Sequence, residues 1–153
     1  MSSYVQQVNV MWLRRDLRLN DNAGLKACVE SSVASGHKLI VIFILDENIL
    51  NRLPNDDDRR VFFIWESLKD IRELLLEKGS DLLILKGTPV NIFEKIFRYY
   101  RVKNVFCNED YDAYSLDRDK MISNYLIEND AKLIKYTDHV IKGGGDVLKD
   151  DNT

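Results

Sequence analysis

The sequence predicts an α/β domain built on a doubly wound parallel sheet of about five strands, with helices on both faces. Three observations carry this expectation. Apolar runs rich in β-branched residues alternate with amphipathic segments along the chain, the pattern left by successive strand–helix–strand crossovers. The run Leu39-Ile40-Val41-Ile42-Phe43-Ile44-Leu45 is unbroken, as a strand covered on both faces requires. At 153 residues, with 45% hydrophobic and 31% charged positions, the chain suits a single domain that buries about 70% of its unfolded surface.

Each element follows from local signals. Val8 to Leu13 reads as the first strand. Asp21 or Asn22 caps a helix in which Leu25, Val29 and Val33 recur at helical spacing, and Gly36 ends it. The 39–45 run is the second strand and a central one. Asn55-Asp56-Asp57-Asp58 opens a long helix, since carboxylates favour the positive end of the helix dipole. Its stripe is Val61, Ile64, Trp65, Leu68, Ile71 and Leu75, and Gly79 closes it. Leu82 to Leu85 is the third strand. Gly87-Thr88-Pro89 supplies a turn, a cap and a first-turn proline for a helix with Val90, Phe93, Phe97 and Tyr100 on one side. Val105-Phe106-Cys107 is a short fourth strand. Ser115, Asp117 and Asp119 start a helix carrying Ile122, Tyr125 and Leu126, and Lys132 to Tyr136 is the last strand. The architecture is Rossmann-like, with the domain over residues 4–141. Residues 142–153, beginning with the run Gly143-Gly144-Gly145, read as a linker or a truncated end.

Composition narrows the function. No apolar run nears the roughly 20 residues of a membrane span, and residues 1–7 lack the basic and apolar regions of a signal peptide. The expected location is cytoplasmic, with no membrane partner. A net charge of −3 does not suit a nucleic-acid platform, which needs clustered positive charge. If DNA is a partner, the basic surface lies elsewhere. Cys28 and Cys107 fall inside apolar segments and read as reduced core thiols, and Trp12 and Trp65 also read as core. His37 and His139 stand in turn or terminal segments without a serine elbow or reactive cysteine nearby. No spacing of His, Cys and carboxylate resembles a metal site, and residues 55–58 lack the glycine and distal glutamate of a calcium loop.

In open α/β sheets ligands sit beyond the carboxyl ends of the strands. Arg14, Arg15 and Asp16 follow the first strand, Asp46 and Glu47 the second, Lys86 the third, and Asn108-Glu109-Asp110-Tyr111-Asp112 the fourth. All are expected on one edge. Neither a G-x-G-x-x-G turn after a strand nor a P-loop occurs. Mixed charge at that edge suits a polar, partly aromatic ligand better than a bare polyphosphate. Three arginines with Asp16 and Asp21 in eight residues point to a site or an inter-domain contact rather than a solvated loop.

The residues that carry a family resemblance are Trp12-Leu13-Arg14-Arg15-Asp16-Leu17-Arg18-Leu19-Asn20-Asp21-Asn22, Val41-Ile42-Phe43-Ile44-Leu45-Asp46, Arg60 to Leu68, Leu85-Lys86-Gly87-Thr88-Pro89, and Asn108-Glu109-Asp110-Tyr111-Asp112 leading into Asp117-Arg118-Asp119. In this collinear order the chain resembles the N-terminal antenna domain of the DNA photolyase and cryptochrome family. The resemblance implies a light-harvesting domain that holds an antenna chromophore, methenyltetrahydrofolate, 8-hydroxy-5-deazaflavin or FMN, and passes excitation to a catalytic FAD. It implies that FAD and damaged DNA belong to a C-terminal FAD-binding helical domain, absent here, so that this chain alone is non-catalytic. Position by position, Asn108 and Glu109 match residues that bind the folate antenna in some members. Asp16, Phe43, Arg60, Asp110 and Asp112 match the deazaflavin pocket of others, with Arg15 adjacent. The implied whole protein is a deoxyribodipyrimidine photolyase, a lyase and flavoprotein of DNA repair. The same domain serves cryptochrome photoreceptors, and a stand-alone nucleotide- or flavin-binding module is a further alternative.

Overall fold

A computed structural model describes residues 5–53 and 58–137. The five strands are β1 (Gln7–Leu13), β2 (Lys38–Asp46), β3 (Leu82–Gly87), β4 (Arg101–Asn108) and β5 (Lys132–Tyr136). They form one sheet in the order β3-β2-β1-β4-β5, and every neighbouring pair is parallel. Five helices connect them: α1 (Ala23–Ser35), α2 (Glu47–Leu50), α3 (Arg59–Glu77), α4 (Pro89–Tyr99) and α5 (Ala113–Glu128). The doubly wound parallel sheet expected from the sequence is the one observed. The middle strand is β1, and β2 lies interior beside it, a central strand as its unbroken apolar run predicts.

Side-chain alternation along β1 divides the core in two, because successive strand residues point to opposite faces. Val8, Val10 and Trp12 join Ile42, Phe93, Ile96, Val105, Cys107, Ile122 and Leu126 on the α4 and α5 side. Met11 and Leu13 join Cys28, Val41, Phe43, Leu68, Ile71, Leu75 and Phe106 on the α1 and α3 side. The β1–β4 register shifts between Val8 and Asn9. There the buried Asn9 receives Asn104 Nδ2 at 3.2 Å and donates to Ser32 Oγ at 3.1 Å.

Helix ends follow the expected chemistry. Asn22 caps α1 by accepting from the Leu25 N–H, and Gly36 closes it at φ 69°, a conformation that costs other residues strain. Asp58 caps α3, Thr88 caps α4 ahead of Pro89, and Asp112 caps α5. The last helix therefore starts before Ser115, and Asp119 lies within it, 1% exposed.

Several expectations need correction. Val29 and Val33 are 42% and 79% exposed. The buried face of α1 is the row Gly24, Cys28 and Ser32, because small side chains let the helix lie close against the sheet. Trp65 is 45% exposed, beside exposed Phe62 and Phe63; the buried stripe of α3 begins at Leu68. The third strand runs on through Lys86, which pairs with Leu45 and is exposed, so Lys86 does not stand in the turn. The fourth strand has eight residues. The short helix α2 has no apolar periodicity to announce it. Asn55, Asp56, Asp57, His139, Gly143, Gly144, Gly145 and the boundary near Ile141 lie outside the described residues. Among those described, no helix is long and apolar enough to cross a membrane.

Candidate functional site

The chain runs outward from β1 through β2 to β3, then returns across the sheet to β4 on the other side of β1. Strand order thus reverses between β1 and β4, and a crevice opens beyond their carboxyl ends. The arginine-aspartate turn after β1 and the acidic segment after β4 meet there.

Two buried polar assemblies hold that junction. In the first, Asp16 Oδ1 accepts from the Arg14 N–H at 2.9 Å, while Oδ2 accepts from Asn22 Nδ2 at 3.0 Å and Asn108 Nδ2 at 2.6 Å. Asn108 Nδ2 also donates to Asn22 Oδ1 at 2.8 Å, and its Oδ1 accepts from the Gly24 N–H at 2.9 Å. Asp16 and Asn108 are 3% and 2% exposed. Their polar atoms tie the start of α1 to the end of β4.

The second is a quartet of two cations and two anions, each with a side chain no more than 8% exposed. Arg14 Nε stands 3.3 Å from Asp110 Oδ2, and its other nitrogens reach Asp119 and the Asn108 carbonyl oxygen. Arg118 donates to Asp110 Oδ2 at 3.0 Å and Asp119 Oδ1 at 3.1 Å. Both guanidinium groups also lie against the Trp12 ring, 4.9 and 5.1 Å from its centroid. Burial works against the charged form of Arg14, but Cys107, Asp119 and Asp110 together hold it above its ordinary value. The charges cancel, which is the condition for keeping them out of water.

Above this base lies a cleft of about 390 Å3, within the range of small-cofactor sites. Its walls include Trp12, Phe43, Ile44, Ile64 and Pro89, and its polar groups include Arg15, Asp46, Arg52, Arg60, Asp112 and Tyr114. Arg15, with a 69% exposed side chain, donates to Asp112 Oδ2 at 2.9 Å. Burial alone would raise the Asp112 carboxyl; hydrogen bonds from Ser115 and the charge of Arg15 outweigh it and lower the group. Arg60 clasps Asp58 at 2.9 and 2.6 Å and holds that carboxyl down to about 2. Tyr114 donates to Asp46 Oδ2 and carries the Arg52 guanidinium 5.0 Å above its ring. Burial first, and then the Asp46 carboxylate, raise the Tyr114 phenol.

A second cleft of about 320 Å3 adjoins the first, sharing Pro89, Tyr114 and Arg118 with it. Its remaining walls are Asn48, Thr88, Val90, Asp117, Met121 and Ile122.

Of the residues singled out from the sequence, Arg15, Phe43, Arg60, Asp110 and Asp112 line the first cleft. Asp16 and Asn108 lie beneath it, in the hydrogen-bonded junction. Glu109 stands to the β5 side, accepting from Tyr111 at 2.9 Å and Thr137 at 3.0 Å. The three arginines after β1 separate: Arg14 is buried in the quartet, Arg15 stands at the cleft mouth, and Arg18 donates to the Asp21 carbonyl. Sequence reasoning did not single out Arg52 or Tyr114. A signal existed in Asp46-Glu47-Asn48, where the aspartate caps α2 through the Asn48 N–H and so turns the chain over the cleft. Among the described residues, no group of three or more His, Cys, Asp or Glu side chains is placed to hold a metal ion.

A family model for DNA photolyase matches residues 9–153. The deoxyribodipyrimidine photo-lyase of Synechococcus sp. is 29% identical over 139 residues, spanning 91% of this chain and 28% of that protein. Cryptochrome-1 of Aedes aegypti is also 29% identical, over 87% of this chain and 25% of its own length. Among solved structures, the archaeal photolyase from Sulfolobus tokodaii, described as containing two FAD molecules, superposes with a TM-score of 0.76 at 26% identity. That match covers 94% of this chain and 32% of the other. The chain thus spans between a quarter and a third of the length of these relatives.

Proposed function

Because the chain belongs to the DNA photolyase family, we propose that it is the light-harvesting domain of a deoxyribodipyrimidine photolyase, with a flavin-type antenna chromophore, FMN or 8-hydroxy-5-deazaflavin, in the first cleft. Excitation would pass to the FAD of a C-terminal domain that repairs cyclobutane pyrimidine dimers in DNA. A cytoplasmic location belongs to the same proposal. The observation that carries it is the gathering of Arg15, Phe43, Arg60, Asp110 and Asp112 around one cleft.

The residues present fit such a group. A flat conjugated ring needs apolar faces, which Trp12, Phe43, Ile44 and Ile64 supply, and a few polar anchors to fix its orientation. Arg15 and Arg60 stand at the mouth with largely exposed side chains, suited to a phosphate or ring carbonyl. The buried quartet fixes the floor, so the ring's angle is set by rigid groups. The bound group supplies an absorbing π-system; the protein supplies orientation and exclusion of water.

A folate antenna has less support. Asn108 and Glu109, the two positions implied for it, do not line this cleft, and the Asn108 amide is already engaged inside the fold. The Sulfolobus protein, described with two FAD molecules and a novel light-harvesting cofactor, favours a flavin-type occupant. Equal similarity to a photolyase and a cryptochrome supports a domain common to both, so a cryptochrome photoreceptor is the second reading.

The test is to titrate the purified chain with methenyltetrahydrofolate, an 8-hydroxy-5-deazaflavin and FMN, following near-ultraviolet and blue absorbance. The deazaflavin and FMN are expected to bind. Arg60→Ala is expected to weaken both by about tenfold, the loss of one charge-assisted hydrogen bond, and to leave any folate affinity unchanged. Equal losses for all three would refute the separate assignment, and failure of all three to bind would end the antenna reading of this cleft.

A further inference from the structure

A group that collects light must keep its excitation until it is passed on. The first cleft is lined by Trp12 and Tyr114, both among the most readily oxidised side-chain types, and an excited flavin-type ring is an oxidant. We propose that Arg14, Arg52 and Arg118 guard the antenna's excited state, holding positive charge over both rings so that neither gives up an electron to the bound chromophore. This deepens the flavin reading of the first cleft and rests on it.

The step to be suppressed is a one-electron transfer. Light promotes an electron in the chromophore and leaves a vacancy below it. An electron from the indole or the phenol fills that vacancy, so the ring is oxidised by one electron and the chromophore reduced by one. When the electron returns, the excitation has become heat. A ring that has lost an electron is positive, so a neighbouring cation disfavours it.

The arrangement of charges meets that need at both rings. The Arg14 and Arg118 guanidinium groups lie 4.9 and 5.1 Å from the Trp12 ring centroid. Those of Arg52 and Arg118 lie 5.0 and 5.9 Å from that of Tyr114. Each oxidisable ring of the cleft thus carries two cations, and Arg118 acts on both. The contact is attractive while the ring is neutral, because its π face is electron-rich; it turns repulsive once the ring is oxidised. Trp65, outside the cleft, has no such contact among the described residues. Around Trp12 the two cations are buried, with side chains no more than 8% exposed, where solvent ions screen them little. Phe93 packs edge-on against the indole at 5.3 Å and keeps it in place between them. Asp110 and Asp119 offset part of the field, but the guanidinium groups are the charges in contact with the ring. At Tyr114 the hydroxyl donates to Asp46, a proton acceptor that eases oxidation of the phenol, and the two cations over that ring oppose it.

The inference is tested by picosecond emission and transient absorption of the 153-residue chain saturated with FMN, with binding followed by titration and the fold of each variant by circular dichroism. The unaltered chain and Trp12→Phe are expected to share one emission lifetime and to show no oxidised-indole band. Arg118→Met with Asp119→Asn removes one cation and one anion, so the buried charge stays balanced. There the lifetime is expected to fall about tenfold and an oxidised-indole band to appear, which Trp12→Phe in the same background removes. Arg52→Met, at an exposed position where water screens the charge, is expected to shorten the lifetime about threefold, and Tyr114→Phe to recover it. A lifetime that lengthens when Trp12→Phe is made in the unaltered chain would overturn the guard, as would lifetimes that neither loss of cations moves. If the buried double variant does not fold, Arg52→Met decides alone. FMN that binds and is quenched by the unaltered rings sinks this inference and leaves the flavin reading standing; if no flavin binds, the first cleft's assignment fails and this one with it.

Discussion

Arg14 shows how one residue type serves different ends within a single turn. Three arginines follow β1, and from the sequence they are alike. In the fold Arg14 is consumed by Asp110, Asp119 and the Asn108 carbonyl, whereas Arg15 reaches the cleft mouth. Removing one anion from the quartet while keeping its shape leaves a buried cation undercompensated. Asp110→Asn is therefore expected to destabilise the domain by about 3–5 kcal/mol, measured by urea unfolding; a loss below 1 kcal/mol would mean that water already reaches the cluster. The thiols make a second residue-scale prediction. Burial raises Cys28 and Cys107 from an ordinary value near 9 to about 12. A group whose folded value is raised contributes stability that is complete below pH 9 and lost as the pH climbs toward 12. At pH 8 neither cysteine should react with a thiol reagent in the native protein, and both should react in guanidinium; rapid native labelling would contradict their burial. Their place in the core was legible from apolar flanks alone. The division of labour among the arginines was not, because partners such as Asp119 stand more than a hundred residues away in sequence.

Among the elements, α1 best separates what periodicity reveals from what it conceals. Leu25, Val29 and Val33 have the right spacing for a buried stripe, yet the helix presents Gly24, Cys28 and Ser32 to the sheet. Hydrophobicity alone therefore chose the wrong side, since close approach selects for smallness. A Cβ on Gly24 would stand 2.9 Å from Asn108 Oδ1 and 3.2 Å from Met11 Cε. Gly24→Val is expected to cost about 1–3 kcal/mol through overpacking, whereas Val33→Glu on the opposite side should change stability by less than about 0.5 kcal/mol. Thermal or urea unfolding of the pair decides it, and the reverse order would restore the stripe read from the sequence. Caps were easier to read: Asn22, Thr88-Pro89 and Gly36 each act through backbone groups a few residues away. The four residues of α2 are too few to show a period, so the Asp46 cap was the only local sign of it.

At the scale of the whole molecule, the alternation of apolar runs with amphipathic segments sufficed for a parallel, doubly wound sheet, since crossover handedness leaves few other arrangements. It also sufficed to gather Arg15, Asp46, Asp110 and Asp112 at one edge. The order of the strands, and hence which two ends frame the crevice, is visible only in the folded structure. So is the second cleft, whose walls come from three helices and the turn before α4. The chain's two tryptophans occupy contrasting settings: Trp12 is 2% exposed and lines the first cleft, while Trp65 is 45% exposed on α3. The domain thereby contains its own optical gauge. The emission of the sheltered indole overlaps the near-ultraviolet bands of a conjugated guest, and an aqueous quencher silences the wetted one first, leaving Trp12 as the reporter.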